Sequence, residues 1–371
     1  MSQYDLPAAA PRTRRRGPAS ATIGWVLLLL AVAGTVAIGL SPSPYVVERP
    51  GPVYDVLGTT GSGAKAKPLI DIPASQTTYP TSGKLDMLTV YVDGTPQTPV
   101  NWIGIATSWF DPTRAVLPMD EVYAPGVTDD EADKQDRVEM STSQQDATAA
   151  AFTALGQAYT TTVVVAAVQK GAPAAGALKA GDELVSVGGA PVTGLAQLQT
   201  AIREHGSGTP LAFGVKRGGT TTDVEITPAD NADTGRPAIG IYTGARYTFP
   251  YQVHFQLADV GGPSAGMMLA LGIYDKLTPG SLTGGAHIAG TGEITADGAV
   301  GAIGGIRQKM YGARDAGADW FLAPASNCDE VVGHVPAGLR VVKVSTLKGA
   351  LADVKAIAAK AAADLPTCSA K

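Results

Sequence analysis

Residues 261–274, GGPSAGMMLALGIY, and residues 304–319, GGIRQKMYGARDAGAD, decide how this chain is interpreted. Gly261–Ser264 interrupts an extended segment, and the apolar residues from Ala265 onward predict a helix. Ser264 then lies at a helix start, where free backbone N–H groups and the helix dipole can stabilise an oxyanion. A lone serine at such a position is more often an N-cap, but small neighbours here let a substrate backbone approach closely.

The second stretch predicts a helix whose apolar stripe is formed by Ile306, Met310 and Ala313. Lys309 borders this stripe, and burial there would lower the pKa of its amine towards the range in which it accepts a proton from a serine. Taken alone, a lysine in such a helix is more often a solvated surface residue. Paired with Ser264 it predicts a serine nucleophile with a lysine base, and an activity that rises with pH.

Several short motifs accompany these two residues: Gly262–Gly266 (GPSAG), Leu282–Gly284, Thr291–Ile294 (TGEI), Gly298, Ile303–Ile306 (IGGI), Gly317–Ala318, Pro324 and Asn327. Together with Lys309 they resemble the proteolytic domain of the Lon family. The resemblance implies a Ser-Lys dyad of Ser264 and Lys309, with Thr291 hydrogen-bonded to the lysine. It also implies a substrate cleft and oxyanion loop at Gly262, Pro263 and Ala265.

One position departs from the family pattern. Many Lon sequences carry Asp immediately before Gly-Pro-Ser, whereas this chain has Gly261. No side-chain contribution is therefore expected from that position, and the dyad itself is unaffected.

A β-rich unit is predicted between about residues 160 and 230. Leu178–Asp182 (LKAGD) followed by Gly188–Gly189 resembles the PDZ domains of bacterial envelope proteases, which implies peptide binding by strand addition beside a helix. A carboxylate-binding loop is expected near Ala158–Thr162, although no glycine-rich loop stands there. The alternative is an insert without a ligand. The predicted elements are strands at Val163–Val168 and Glu183–Val187, a helix capped by Thr193, and strands over residues 211–215 and 224–226.

The predicted fold class is α+β: an N-terminal transmembrane helix and a Lon-like proteolytic domain with an inserted PDZ-like domain. Outside the insert, strands are expected at Leu88–Val92, Tyr247–Leu257, Trp320–Ala323 and Leu339–Val344, and helices at Ser143–Ala158 and Leu347–Ala363. The expected divisions are a basic tail (1–20), a membrane helix (21–40), an extracytoplasmic segment with the first part of the Lon-like domain (41–158), the PDZ-like domain (160–230), the dyad-bearing part (236–350) and a C-terminal helix and tail (351–371).

The N-terminus carries the topological signal. Arg12 and Arg14–Arg16 precede an apolar run from Ala21 to Leu40, which is long enough for a membrane-spanning helix of about 20 residues. The positive-inside rule then predicts a cytoplasmic N-terminus and an extracytoplasmic remainder at the cell membrane. A cleaved signal peptide is the alternative, but its apolar core is usually shorter.

Composition excludes several other classes of function. A net charge of -5 gives no reason to expect nucleic acid as a partner, and the four histidines show no metal-ligand spacing, so neither a metal nor another cofactor is expected. No phosphate-binding G-x-x-x-x-G-K-[ST] motif occurs, which predicts cleavage without ATP. The even number of cysteines leaves pairing of Cys328 with Cys368 open.

The expected partners are protein or peptide substrates and the membrane, and the sequence leaves open whether the chain forms a homo-oligomer. Two other functions remain. One is a non-catalytic envelope scaffold that binds through the PDZ-like unit. The other is an esterase of the α/β-hydrolase type, because Gly262–Gly266 also fits G-x-S-x-G, with His334 or His287 as the later histidine. His287 is better interpreted as structural. Glu293 could help to hold the site or could equally be a surface carboxylate near a turn.

Overall fold

The computed structural model describes residues 18–61, 63–232, 234–257 and 260–369. Arg12 and Arg14–Arg16, which predict the orientation of the N-terminal helix, lie outside these ranges. The helices are α1 (Pro18–Gly39), α2 (Trp102–Ser108), α3 (Met119–Val122), α4 (Asp129–Leu155), α5 (Leu195–His205), α6 (Gly266–Leu277), α7 (Ile306–Asp315), α8 (Cys328–Val331) and α9 (Leu347–Ala358), with short 3-10 helices at Gly63–Lys65 and Ala325–Asn327.

The strands, in chain order, are β1 (Tyr45–Asp55), β2 (Thr59–Thr60), β3 (Lys67–Pro68), β4 (Ile70–Asp71), β5 (Lys84–Asp93), β6 (Ala115–Pro118), β7 (Thr160–Val168), β8 (Glu183–Val187), β9 (Ala190–Pro191), β10 (Leu211–Arg217), β11 (Thr220–Ile226), β12 (Ala229–Asp230), β13 (Pro237–Ala238), β14 (Ile241–Thr248), β15 (His254–Phe255), β16 (His287–Gly290), β17 (Glu293–Ile294), β18 (Val300–Gly301), β19 (Trp320–Pro324) and β20 (Arg340–Val344).

The smaller of two compact units comprises Met1–Gly51 and Val90–Asp133. Its helix α1 is apolar and solvent-exposed. By length and composition the stretch Thr22–Gly39 could cross a membrane, and a signal sequence would have the same features. The beginning of β1 pairs antiparallel with β6. Helix α2 starts after Asn101, whose side-chain oxygen accepts a hydrogen bond from the Gly104 N–H at 2.8 Å and so caps the helix.

The larger unit comprises Pro52–Thr89 and Lys134–Lys371. It contains a sheet in the order β20-β19-β16-β5-β1, in which β5, β16, β19 and β20 are parallel neighbours. Helix α6 is buried along nearly its whole length. The hydrophobic core around α6 includes Ala147, Ala151 and Phe152 of α4 as well as Leu351 and Val354 of α9. Residues from before and after the β-rich insert therefore build one core, as the sequence predicts.

The insert has its own sheet and core. Strands β11-β10-β8-β7-β14 form the sheet, and α5 packs on it through Leu198 and Ile202. The strands predicted for this unit are confirmed. The predicted cap at Thr193 is wrong, because α5 begins after Gly194 and has no side-chain cap hydrogen bond.

Several predicted elements outside the insert have different limits. The helix predicted at Ser143–Ala158 starts at Asp129 and ends at Leu155, and the strand predicted at Leu88–Val92 starts at Lys84. Tyr247–Leu257 is not one strand: β14 ends at Thr248, and β15 covers only His254–Phe255. Pro250, which lacks an N–H group, lies in the break, and β14 pairs with β7 in the insert's sheet. Helix α9 ends at Ala358 because Lys360 takes a left-handed conformation with φ of 57° and the Ala361 N–H bonds to the Ala356 carbonyl.

The pairing of the two cysteines, which the sequence leaves open, is settled by a disulfide between Cys328 and Cys368. The bond joins the start of α8 to the C-terminal tail across a separation of 40 residues. Closing a loop of this length stabilises a fold by about 4 kcal/mol in the chain-entropy account.

Asp275 is a buried carboxylate near the end of α6, with no solvent exposure. One of its oxygens accepts the Leu282 N–H at 2.8 Å, and its Oδ2 has no hydrogen-bond partner among the described residues. Burial raises the pKa of Asp275, and the Leu282 N–H and the Lys276 ammonium oppose this only in part. The folded state therefore binds this proton more tightly than the unfolded state, and stability decreases as pH rises through the raised pKa.

We expect Asp275→Asn to stabilise the protein at neutral pH, because the amide keeps the acceptor for Leu282 and removes the buried charge. The gain should be about 1 kcal/mol, or roughly 2–4 °C in Tm, and should disappear below about pH 4, where the native carboxyl group is protonated. Thermal unfolding across this pH range, with the exposed Asp364→Asn as control, tests it. A lower Tm at pH 7 in the Asp275 variant alone would contradict the assignment.

Candidate active site

The loop before α6 is held by helix α4. The Gly262 N–H donates to the Asp136 carbonyl at 3.0 Å, and the Ser143 hydroxyl donates to the Pro263 carbonyl at 2.8 Å. Gly262 adopts φ of 77°, a conformation that favours glycine. Ser264 follows, half-buried and two residues before the first residue of α6. The predicted position of the serine at a helix start is confirmed.

The absence of a side chain at position 261 has a structural reason. A Cβ atom built on Gly261 would lie 2.7 Å from the Cβ of Asp136 on α4. This is closer than real Cβ contacts, so an aspartate at position 261 would require α4 to shift. Asp136 occupies the space that a side chain at 261 would need.

The backbone of Ser264 is fixed by the segment that follows β16. Its carbonyl accepts the Gly292 N–H at 2.8 Å and the Thr291 hydroxyl at 3.0 Å. The Met267 N–H in turn donates to the Gly292 carbonyl at 3.0 Å. The start of α6 is thereby joined to the segment after β16 at two points, the Ser264 carbonyl and the Met267 N–H.

Lys309 reaches this point from α7. The helix begins after Gly305, and its apolar residues Ile306, Met310 and Ala313 are buried as the sequence predicts. Lys309 is also buried, with 2 % exposure. Its Nζ lies 2.9 Å from the Ser264 Oγ and 3.3 Å from the Thr291 Oγ1. The three residues expected to act together are therefore in contact.

Asn327 holds the segment that leads into α7, a role that was not predicted from the sequence. It is buried, and its amide accepts the Ile303 N–H at 3.0 Å and donates to the Ile303 carbonyl at 2.8 Å. It also donates to Glu330 at 2.8 Å. The Asn327 side chain thus satisfies both backbone groups of Ile303, as a neighbouring strand would. Cys328, the next residue, forms the disulfide.

An acidic cleft of about 290 Å³ lies beside the serine loop, between α4 and strands β17 and β18. Its carboxylates are Glu139, Asp146 and Glu293. Burial raises the pKa of Glu293, and the Glu139 charge raises it further, while Lys309 lowers it. Burial also raises the pKa of Asp146, which the Tyr247 hydroxyl opposes by donating to it at 2.6 Å. Three carboxyl groups thus line the cleft next to Pro263.

The histidines that a hydrolase triad would need have other partners. His287 bonds to Asp86, and the Nδ1 of His334 lies 3.1 Å from the Val332 carbonyl. The interpretation of His287 as structural agrees with this. Within the described residues, no group of three or more His, Cys, Asp or Glu side chains has a metal-binding arrangement.

A second groove, of about 350 Å³, lies in the inserted unit beside α5. Leu198, Ile202 and Arg203 of α5 line one side, and residues 236–241 and Thr243 line the other. The expected carboxylate-binding loop at Ala158–Thr162 is wrong, because residues 160–162 belong to β7. Strand β14, which borders the groove, is the last strand of its sheet, so its outer edge has no strand neighbour among the described residues.

Comparison with known proteins finds a family for each of two regions of the chain. Residues 252–358 match the family model of the Lon protease (S16) C-terminal proteolytic domain, and residues 137–227 match that of the PDZ domain. The chain therefore carries the proteolytic domain of a Lon-type serine peptidase together with a PDZ domain.

Individual relatives agree with these matches. Lon protease 1 of Sorangium cellulosum is 40% identical over 94 residues, which is 24% of this chain and 11% of that protein. Lon protease of Campylobacter concisus is 36% identical over 109 residues, which is 27% of this chain and 13% of that protein. The chain thus spans only about a tenth of these curated relatives. The PDZ domain of an SdrC-like protein from Listeria innocua is a solved structure with 27% identity, covering 22% of this chain and 92% of that one at a TM-score of 0.21.

Thr291→Val should slow the reaction of Ser264 with a fluorophosphonate by about tenfold, because the variant loses the hydroxyl between the serine carbonyl and the lysine amine. Thr291→Ser keeps the hydroxyl and should react at nearly the native rate. Labelling rates measured by intact mass provide the test. Equal rates in the valine variant and the native protein would show that the hydroxyl has no positioning role.

Proposed function

Because the chain carries a Lon-type proteolytic domain and a PDZ domain, we propose that it is a membrane-anchored serine endopeptidase that cleaves flexible or unfolded protein segments outside the cytoplasm. The observation that carries the proposal is the 2.9 Å contact between the Lys309 Nζ and the Ser264 Oγ in a buried setting. Burial penalises the charged form of a lysine in general, which makes a buried lysine beside a serine hydroxyl a suitable general base.

The proposed reaction uses groups that lie within hydrogen-bond distance. Ser264 Oγ attacks the scissile carbonyl carbon while the Lys309 amine takes the hydroxyl proton. Backbone N–H groups at the start of α6, by Ala265, stabilise the tetrahedral oxyanion. Lys309 then protonates the leaving amine, and an acyl-enzyme remains on Ser264. Water, deprotonated by Lys309, hydrolyses this ester and restores the serine.

Thr291 is a positioning residue in this scheme. Its hydroxyl donates to the Ser264 carbonyl and its oxygen accepts from Lys309, so it fixes the nucleophile's backbone and the base together. Gly262 and Pro263 form the turn that precedes the half-buried Ser264, and Pro263 also lines the cleft. A serine with a lysine base of this kind needs no metal or other cofactor.

The membrane anchor is α1, whose apolar stretch is followed by the rest of the chain on the outer side. The positive-inside rule applied to Arg12 and Arg14–Arg16 supports this orientation. The sequence contains no G-x-x-x-x-G-K-[ST] motif and flexible segments need no unfolding step, which supports cleavage without ATP.

Peptide cleavage by the full chain without ATP tests the catalytic assignment. Ser264→Ala and Lys309→Ala should each lower the rate by about 10⁴-fold or more, because the nucleophile and its base act as a unit and neither works without the other. Lys348→Ala, at an exposed lysine of α9, and His334→Ala should leave it unchanged. Loss of activity in the histidine variant but not in the lysine variant would instead support the hydrolase-type triad.

A serine-reactive fluorophosphonate separates the peptidase from the non-catalytic scaffold. A peptidase should be labelled once, at Ser264, and Ser264→Ala should not be labelled. The scaffold would bind peptides but take no label.

The PDZ groove supports selection of a peptide end. Arg203 and Arg236 border it and can attract a terminal carboxylate, while Leu198 and Ile202 supply an apolar floor.

We expect Arg236→Glu to weaken binding of a labelled peptide with a free C-terminal carboxylate by about tenfold, or about 1.4 kcal/mol, because it reverses the charge at the groove. The same peptide with an amidated C-terminus should be little affected. Fluorescence anisotropy measures both, and Lys348→Glu on α9 controls for net charge. Equal losses for the two peptides would contradict carboxylate capture.

A further inference from the structure

The smaller unit exposes an apolar segment that the proposed reaction does not use. This juxtamembrane segment, Trp102–Phe110, comprises α2 and the two aromatic residues after it. Phe110 is 89% exposed, Trp109 65% and Ile103 47%. Single exposed apolar residues are ordinary, but three within eight residues form a patch that usually marks a contact with a partner or a membrane.

The exposed apolar side chains share one side of the helix. Ile103, Ala106 and Phe110 follow the spacing i, i+3, i+7, and Trp109 lies beside Phe110. Trp109 keeps right-handed helical dihedral angles, and the Phe110 N–H bonds to the Thr107 carbonyl, so the helical turn continues through both aromatics. The opposite side, with Ile105 and Ser108, is buried within the unit.

The start of this segment is tied to the end of α1. The Trp102 N–H donates to the Ser41 carbonyl at 3.3 Å, and Pro42 bridges Asn101. A Cβ atom built on Gly39 would lie 2.9 Å from the Ile103 side chain, so the backbone of α1 and this side chain are in contact. The exposed surface of the segment therefore continues the exposed apolar surface of α1.

The dimensions fit one layer of a bilayer. The apolar stretch of α1 ends at Gly39, which sets the edge of the hydrocarbon core near that residue. The headgroup region beyond it is about 5–8 Å thick, and α2 is roughly 10 Å long. Aromatic side chains favour this region. Directly after the segment, Asp111 and Arg114 form a partly exposed ion pair at 3.1 Å, as expected where the chain returns to water.

We propose that the juxtamembrane segment lies in the outer headgroup region of the membrane that α1 spans, with Trp109 and Phe110 inserted among the lipids. The inference rests on the proposed anchoring by α1. It gives the smaller unit a second membrane contact and fixes its rotation about α1, which a single helix cannot do.

The experiment uses the full chain in vesicles of phosphatidylcholine and phosphatidylglycerol. Phe110→Cys introduces the single free thiol, since Cys328 and Cys368 are paired, and the substitution is at an exposed side chain. A nitroxide attached there is probed for collisions with oxygen, which concentrates in lipid, and with a water-soluble nickel complex. Lys348→Cys, with the same label, is the aqueous control.

We expect a several-fold higher oxygen-to-nickel collision ratio at position 110 than at position 348. A ratio equal to the control would overturn the inference. A label at 110 that is shielded from both reagents would also overturn it, because it would indicate contact with protein, such as a second copy of the chain. Flotation of the vesicles reports separately on α1: if the chain does not float, the anchor itself is wrong and the inference falls with it.

Discussion

The amine of Lys309 is buried against the hydroxyl of Ser264, and the surrounding hydrogen bonds and packing hold these two groups together. An amine at 2 % exposure is costly to keep charged, and the Ser264 and Thr291 oxygens accept from it. The arrangement therefore meets a geometric requirement of a general base, because the hydroxyl whose proton is to be taken lies within hydrogen-bond distance of the amine. A small displacement of either helix would separate the two groups.

The contact is maintained by hydrogen bonds between segments far apart in sequence. Ser143 on α4 holds the turn before the serine, and Gly292 and Thr291 hold the carbonyl after it. On the lysine side, Asn327 clamps Ile303 before α7. Because α4 precedes the insert's sheet and the other segments follow it, the insert divides the chain without dividing the site.

The sequence identified the parts of this site that are local. Ser264 at a helix start and Lys309 on an apolar stripe follow from residue spacing, and the motifs around them indicated the family. Asn327 is among the motif residues, but neither its role nor Ser143 could be predicted this way, because the partner of Asn327 lies 24 residues away and that of Ser143 lies 120 residues away. Helix α9 was predicted too long for a related reason: its left-handed cap residue is Lys360, where glycine would have been recognisable.

The charge around the site was also hidden in the sequence. Glu293 lies close to Thr291 in the sequence, but Glu139 and Asp146 reach the same cleft from α4, which lies far earlier in the chain. Likewise, nothing in the sequence around Phe110 indicates a membrane contact. Its exposure becomes informative only because the end of α1 lies beside α2 in the structure. Tertiary contact, rather than local preference, decides both.

The central claim is that Ser264 is the nucleophile and Lys309 its base. A crystal structure of the protein with a peptide boronate, which forms a tetrahedral adduct with an active serine, tests it most directly. The account predicts boron bonded to the Ser264 Oγ, a boronate oxygen near the backbone amides at the start of α6, and the Lys309 Nζ within hydrogen-bond distance of the Ser264 Oγ. A boronate bonded to another residue, or an adduct on Ser264 with Lys309 turned away and a histidine in its place, would contradict it.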